Sequence, residues 1–225
     1  YFPIEGPDGR LRAHFLVVSD RGPEQAGLIR HGNEKVLHAR LSDAQFFDRK
    51  DRDLNLSGHI EGLRGVAFLK GLGSYYDKTQ RLAALVDALA EALGADAGTA
   101  ATARQAAALC KADLLTEIVG EFPALQGEIS RVYAVRDGQS AEVGAAIAEH
   151  YMPRAADAAL PSSPAGVVLS LAEKVDNMVS CFALGLLQSG SQDPYALRRQ
   201  SQALVRIIER SGRRVQLAEV LRAAQ

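Results

Sequence analysis

Cysteine is scarce in this chain: Cys110 and Cys181 are the only two among 225 residues. Both sit inside apolar helical patterns, so they read as small buried hydrophobes rather than a disulfide framework, and a reducing cytoplasm suits them. Net charge is nearly absent too. Lysine and arginine total 26 against 27 aspartates and glutamates, a formal charge of −1, so the global basic footprint of a dedicated nucleic-acid-binding module is missing and any RNA contact must be local. No apolar run approaches the roughly 20 residues that cross a bilayer, and no charged-then-apolar signal segment opens the chain. Internal repeats and low-complexity linkers are lacking. The five histidines, His14, His31, His38, His59 and His150, include no two at the spacing of metal ligands.

What is present has the balance of a globular protein, with 47% hydrophobic and 24% charged residues, enough for one sizeable domain or one domain with pieces of its neighbours. The chain opens at Tyr1 directly in a strand-like run, so it reads as a piece of something longer. Residues 1–5 and 11–19 flank Gly6-Pro7-Asp8-Gly9, a cluster of turn formers that predicts a β-hairpin. A lone hairpin is marginal in water, so this one is expected to complete a sheet supplied from upstream. From Asn33 the spacing of Val36, Leu37, Leu41, Ala44 and Phe47 predicts a long connecting helix.

Glycines at 58, 62, 65, 71 and 73 then punctuate an irregular stretch before a helix over 74–93. A second helix is expected to run through Leu109, Leu114, Leu115 and Val119 and to stop at Gly120, with shorter helices to His150. Ser162 or Ser163 can cap a helix that starts beside Pro164. That helix, over 165–187, is apolar on most of its circumference and should lie centrally. After a break at 190–193, Asp193 is expected as N-cap with Pro194 in the first helical position. The predicted fold is mainly α, a helical bundle preceded by a short hairpin. Its divisions are 1–22 (hairpin), 23–72 (connecting helices), 73–190 (helical domain) and 191–225 (C-terminal helices).

The local charge imbalance falls near the end, where Arg198, Arg199, Arg206, Arg210, Arg213, Arg214 and Arg222 face only Glu209 and Glu219. Tyr195, Arg198, Arg199 and Arg206 are the candidate RNA contacts, because aromatic rings mixed with arginine can stack on bases and hold phosphates. A solvated basic helix face is the alternative. Lys70 with Gly71 and Gly73 lacks the following residues of a phosphate-binding loop.

Three stretches, 36–47 (VLHARLSDAQFF), 110–127 (CKADLLTEIVGEFPALQG) and 190–199 (GSQDPYALRR), are joined by Tyr1-Phe2-Pro3 and by 150–154 (HYMPR). In order and spacing they resemble the β subunit of bacterial heterotetrameric glycyl-tRNA synthetase. The resemblance implies a tetramer of two α and two β subunits, in which α carries aminoacylation with ATP and Mg while β handles tRNA(Gly). This chain would then be the middle of β, with no cofactor of its own and a second β subunit among its partners.

Residues 107–112 (AALCKA) and 171–178 (LAEKVDNM) also resemble the HD phosphohydrolase superfamily, whose helical domain holds a metal through an early His, a His-Asp pair and a later Asp. On that register Glu173 takes the last position, Lys111 and Ala112 replace the pair, and Tyr75, Tyr76 and Asp77 stand where the early His belongs. The resemblance thus implies an HD-like bundle with a degenerate pocket of Asp77, Lys111, Ala112, Asp113, Glu173 and Asp176, without metal or catalytic residue. Carboxylates left facing one another in low dielectric need a counter-charge, so Lys111 is expected to approach Glu173, Asp176 or Asp113. An exposed helix lysine is the alternative. Asp113 and Glu117, one turn apart, would suit a metal but are more often solvated or bonded to a cap. Two other functions stay open: an active metal-dependent phosphohydrolase, and a subunit-interface scaffold without RNA contact.

Overall fold

The computed structural model describes residues 1–186 and 193–224. The described residues gather into two compact units, 1–46 and 47–225. The expected boundary at 190/191, the end of the helix at Leu187 and the first residues of the 190–199 motif lie outside the described residues.

In the first unit, strands β1 (Phe2–Glu5) and β2 (Leu11–Leu16) pair antiparallel, with Phe2 opposite Leu16 and Glu5 opposite Leu11. The turn closes through the Gly6 N–H to the Arg10 carbonyl at 2.8 Å, with Gly9 in the left-handed region at φ 70°, a conformation glycine adopts without strain. Phe2, Leu11, Leu16 and Val18 are exposed. Helix α1 (Ala26–Asp51) begins in this unit and its last turns belong to the second. Val36 and Leu41, whose spacing predicts the helix, are exposed on it.

The second unit is helical. Helix α2 (Tyr75–Ala92) starts at a capping box: the Ser74 side chain accepts from the Asp77 N–H, and Asp77 accepts from the Ser74 N–H at 2.7 Å. Two otherwise orphaned donors are satisfied this way. Helix α3 (Ala97–Leu109) buries Ala100, Ala103, Ala106 and Ala107, small side chains that allow its neighbours to pack closely. The expected continuous helix through Val119 is broken instead. Cys110 ends α3, a tight turn covers Ala112–Leu115, and a short α4 (Glu117–Glu121) restarts with Thr116 as N-cap. The restart is fixed by Asp51, whose carboxylate accepts from the Glu117 and Ile118 N–H groups at 2.8 and 3.0 Å.

Helices α5 (Glu128–Arg136) and α6 (Ala141–Glu149) lead to α7 (Pro164–Ala183), which begins with Ser163 as N-cap and Pro164 in the first turn. It ends with Gly185 at φ 67° and the Leu186 N–H bonded to the Cys181 carbonyl at 2.9 Å, the pattern of a glycine-terminated helix. Helix α7 contacts α2, α3, α6, α8 (Leu197–Ser211) and α9 (Leu217–Ala223). Its buried Val168, Leu169, Leu171, Ala172 and Val175 join Leu82, Leu89, Ile147, Leu204 and Ile207 in one core. The start expected for α8 is corrected. Pro194 and Tyr195 form a turn closed by the Ala196 N–H to the Asp193 carbonyl, and Ala196, at φ 55°, precedes the first helical residue. The described fold is mainly α with one hairpin, and none of its helices is long and apolar enough to cross a membrane.

Candidate functional site

Where α2, α7 and the turn after α3 meet, charged side chains are buried together: Lys78, Lys111, Glu173, Lys174 and Asp176, with His150. Each lies on the core face of its element. Lys78 precedes Leu82, Leu85 and Leu89 at helical spacing, and His150 follows the buried Ala146 and Ile147 by one turn.

Lys111 Nζ lies 3.0 Å from Glu173 Oε1 and 2.9 Å from His150 Nε2, and 4.0 Å from the centre of the Tyr151 ring. Lys78 Nζ lies 2.7 Å from Asp176 Oδ2, 2.7 Å from Asn177 Oδ1 and 3.4 Å from Glu173 Oε2. Glu173 Oε2 has no directed hydrogen bond, so at 3.4 Å it is held by charge alone. Arg81 Nε donates to Asp176 Oδ1 at 2.6 Å. Two carboxylates thus face two ammonium groups and a guanidinium.

The electrostatics follow from these distances. Burial works to raise the Glu173 pKa, but Lys111 and then Lys78 reverse that and hold the carboxyl well below its usual range. Burial works to lower the pKa of Lys111, and the Glu173 carboxylate more than offsets it, so the ammonium is held above its ordinary value. Burial and then the Lys111 charge push His150 well below its ordinary value. Its ring is therefore neutral. With Nδ1 against the Ile147 carbonyl, Nδ1 carries the proton and Nε2 accepts from Lys111.

The expectation for Lys111 is met at Glu173, while Lys78 takes Asp176. Asp113 is buried nearby but accepts from the Gly127 N–H at 2.6 Å, its Oδ1 has no partner, and burial raises its pKa. Gly127 sits at φ 84°, and a Cβ there would meet the Tyr151 ring at 3.1 Å. Ala112 is buried. Asp77 is corrected: it belongs to the α2 capping box rather than to the pocket, because the residue turned toward the carboxylates is Lys78, one position on. Glu117, expected one helical turn from Asp113, is separated from it by the break before α4 and pairs with Lys50 at 3.0 Å. Lys78 and His150 were missed by the sequence reading, although a lysine and a histidine on apolar helix faces were the available signal.

A catalytic divalent ion needs several fixed donors and an open position. Here the carboxylates are engaged by lysines, and among the described residues no three His, Cys, Asp or Glu side chains are grouped to hold a metal ion. The residues present do not fit such a centre.

A cleft of about 810 Å³ opens beside this network, lined by α7, α8 and the segment after α6. Arg154, Glu173, Lys174, Arg199 and Arg206 line it. Lys174 Nζ bonds to Ser170 Oγ at 2.8 Å and to the Ser170 carbonyl at 3.3 Å. Burial, opposed by Glu173 and assisted by Lys111, pulls its pKa down to about 8. Of the candidate RNA contacts, Arg199 is exposed, Arg206 donates to the carbonyls of Ala156 and Ala158, and Tyr195 and Arg198 are exposed without lining the cleft.

The family model for the glycyl-tRNA synthetase beta subunit matches residues 1–225. The glycine–tRNA ligase beta subunit of Desulforamulus reducens is 45% identical over 224 residues, 100% of this chain and 32% of its own length. The beta subunit of Polaromonas naphthalenivorans is 46% identical over 208 residues, 92% and 29% of the two chains. That of Streptococcus gordonii is 44% identical over 221 residues, 98% and 32%. The chain spans about a third of the length of these relatives.

Proposed function

We propose, from the premise that this chain belongs to the glycyl-tRNA synthetase β-subunit family, that it is a non-catalytic structural and tRNA-handling part of that enzyme. It works in the cytoplasm within a tetramer of two α and two β subunits. Attachment of glycine to tRNA(Gly), with ATP and Mg, belongs to the α subunit. The observation that carries the non-catalytic part is the pair of buried ammonium groups, Lys78 and Lys111, set against Asp176 and Glu173. An ammonium so placed supplies the positive charge a cation would bring but offers no Lewis-acid site and no bound water to activate. The tRNA-handling part is supported by family membership and by Tyr195, Arg198 and Arg199 exposed at the start of α8.

The test is reconstitution: full-length β carrying Arg198→Ala and Arg199→Ala, assembled with α and assayed for glycylation and tRNA binding. Each lost phosphate contact should reduce the slope of log affinity against log salt by about 0.7–0.9, so the double variant binds tRNA more weakly and less salt-dependently. An unchanged slope would favour a pure interface scaffold. Phosphate release from nucleotides or RNA ends by the purified β subunit, together with a stoichiometric transition metal, would favour an active phosphohydrolase.

A further inference from the structure

The cleft beside the network carries more positive charge than its neighbours neutralise. Lys174 is almost wholly buried and no carboxylate pairs with it among the described residues; two of its three N–H donors go to Ser170, which leaves the third without an acceptor there. Among the described residues the hydrogen bonds of Arg206 and Arg154 go to carbonyls, those of Ala156, Ala158 and Gln126, which satisfy donors without cancelling charge, although Arg154 also feels the buried Asp113. Glu173, the one acid lining the cleft among the described residues, is already engaged by Lys111 and Lys78. Four cations therefore share a space of about 810 Å³, within the range of about 300–1,000 Å³ typical of small-ligand sites.

We infer that this cleft binds the phosphate group of a phosphate ester, with the buried Lys174 as its central donor and Arg199 and Arg206 closing on it from α8. A phosphomonoester brings close to two negative charges and three acceptor oxygens, a match for several converging cations that a single carboxylate lacks. Pro153, Ala155 and Val205 give the ester's carbon skeleton an apolar wall. The inference rests on the cleft alone and stands whether or not Arg198 meets tRNA.

The lowered pKa of Lys174 supplies an independent readout. Glu173 from its own helix and Lys111 from the turn after α3 act on its charge, and the neutral His150, Tyr151, Arg154, and Arg199 and Arg206 from α8 line the cleft around it. An added anion favours the charged form, so at pH 8.5 ligand binding should draw a proton onto Lys174.

The experiment is titration calorimetry on full-length β assembled with α, using ribose 5-phosphate and a 5′-phosphorylated hexaribonucleotide, in buffers of different ionisation heat. We expect saturable binding, proton uptake at pH 8.5, and an affinity loss of about tenfold or more in Lys174→Met and in Arg199→Ala; Lys174→Met should also lose the uptake. Ribose 5-phosphate binding as tightly as the oligonucleotide assigns a free small ester, and tighter oligonucleotide binding assigns an RNA phosphate. No saturable binding of either probe, or wild-type affinity in both variants, overturns the inference. Should Lys174→Met fail to fold, Arg199→Ala and the wild-type proton uptake decide. Loss of tRNA binding in the Arg198, Arg199 double variant without any ester binding would sink this inference and leave the tRNA-handling role intact.

Discussion

Lys111 and Lys174 are both almost fully buried and both feel the Glu173 carboxylate, yet they occupy opposite electrostatic situations. Lys111 has Glu173 at 3.0 Å and is held above its ordinary pKa, whereas Lys174, turned back on Ser170, is pulled down to about 8. Burial alone does not decide whether a lysine stays charged. The counter-ion does, and the two regions divide accordingly into a closed network whose charges cancel and an open cleft whose charges do not. The first has the form of a structural element and the second that of a binding site.

The closed network is disturbed most by Glu173→Ala. It leaves Lys111 without a carboxylate and weakens the field at Lys78, and stranding buried charge in this way costs about 3–5 kcal/mol, readable by urea unfolding of the intact β subunit. The pH dependence fixes the cause. Glu173 has a depressed pKa in the folded state, so its contribution is complete above the unfolded value of about 4.3 and is lost as the pH falls below it. The deficit of the variant should therefore shrink in acid. A pH-independent deficit would point to lost packing instead.

Lys78→Met is a milder break. Glu173 keeps Lys111, and Asp176 keeps Arg81 at 2.6 Å, while the Asn177 carbonyl loses its donor. A loss of about 2 kcal/mol is expected from the charged hydrogen bonds removed, and a loss as large as that of Glu173→Ala would show that Arg81 does not hold Asp176.

The same contrast explains what could be read in the sequence. Glu173, Asp176 and Lys111 are legible because they stand in stretches with a family pattern, and the need of a buried carboxylate for a counter-charge points to Lys111 from the sequence alone. The capped start of α7 was legible at Ser163 and Pro164 for the local reason that capping is written in adjacent residues. Lys78 and His150 were not found, since their partners lie 98 and 39 positions away and no short-range rule joins them. The break between α3 and α4 was hidden for the same cause: Asp51, which caps α4, is 66 residues from Glu117. The cleft depends on the packing of α8 against α7, which periodicity suggests but does not register.

Lys174→Met tests the open side and should act in the opposite direction. The depressed pKa means that the folded protein holds a charged lysine at a cost below pH about 8, and that this cost disappears as the pH rises toward the unfolded value of about 10.4. After the bonds to Ser170 are given up, a net gain of about 1 kcal/mol at pH 7 is expected, shrinking above pH 8. A loss at pH 7 would mean that Lys174 has a counter-charge after all, and the cleft would join the closed network.

The smallest effect on stability belongs to Arg199→Ala. Arg199 is exposed on α8, where substitutions away from buried features stay within about 0.5 kcal/mol, so the unfolding midpoint should hardly move. Its weight lies elsewhere, since removing one cation from the lining of the cleft lowers the local potential for any bound anion. Unchanged stability with weakened phosphate-ester binding is the signature of a site whose charges are kept for a ligand. Lost stability with unchanged binding would make Arg199 one more structural cation, of the kind that Lys78 and Lys111 already are.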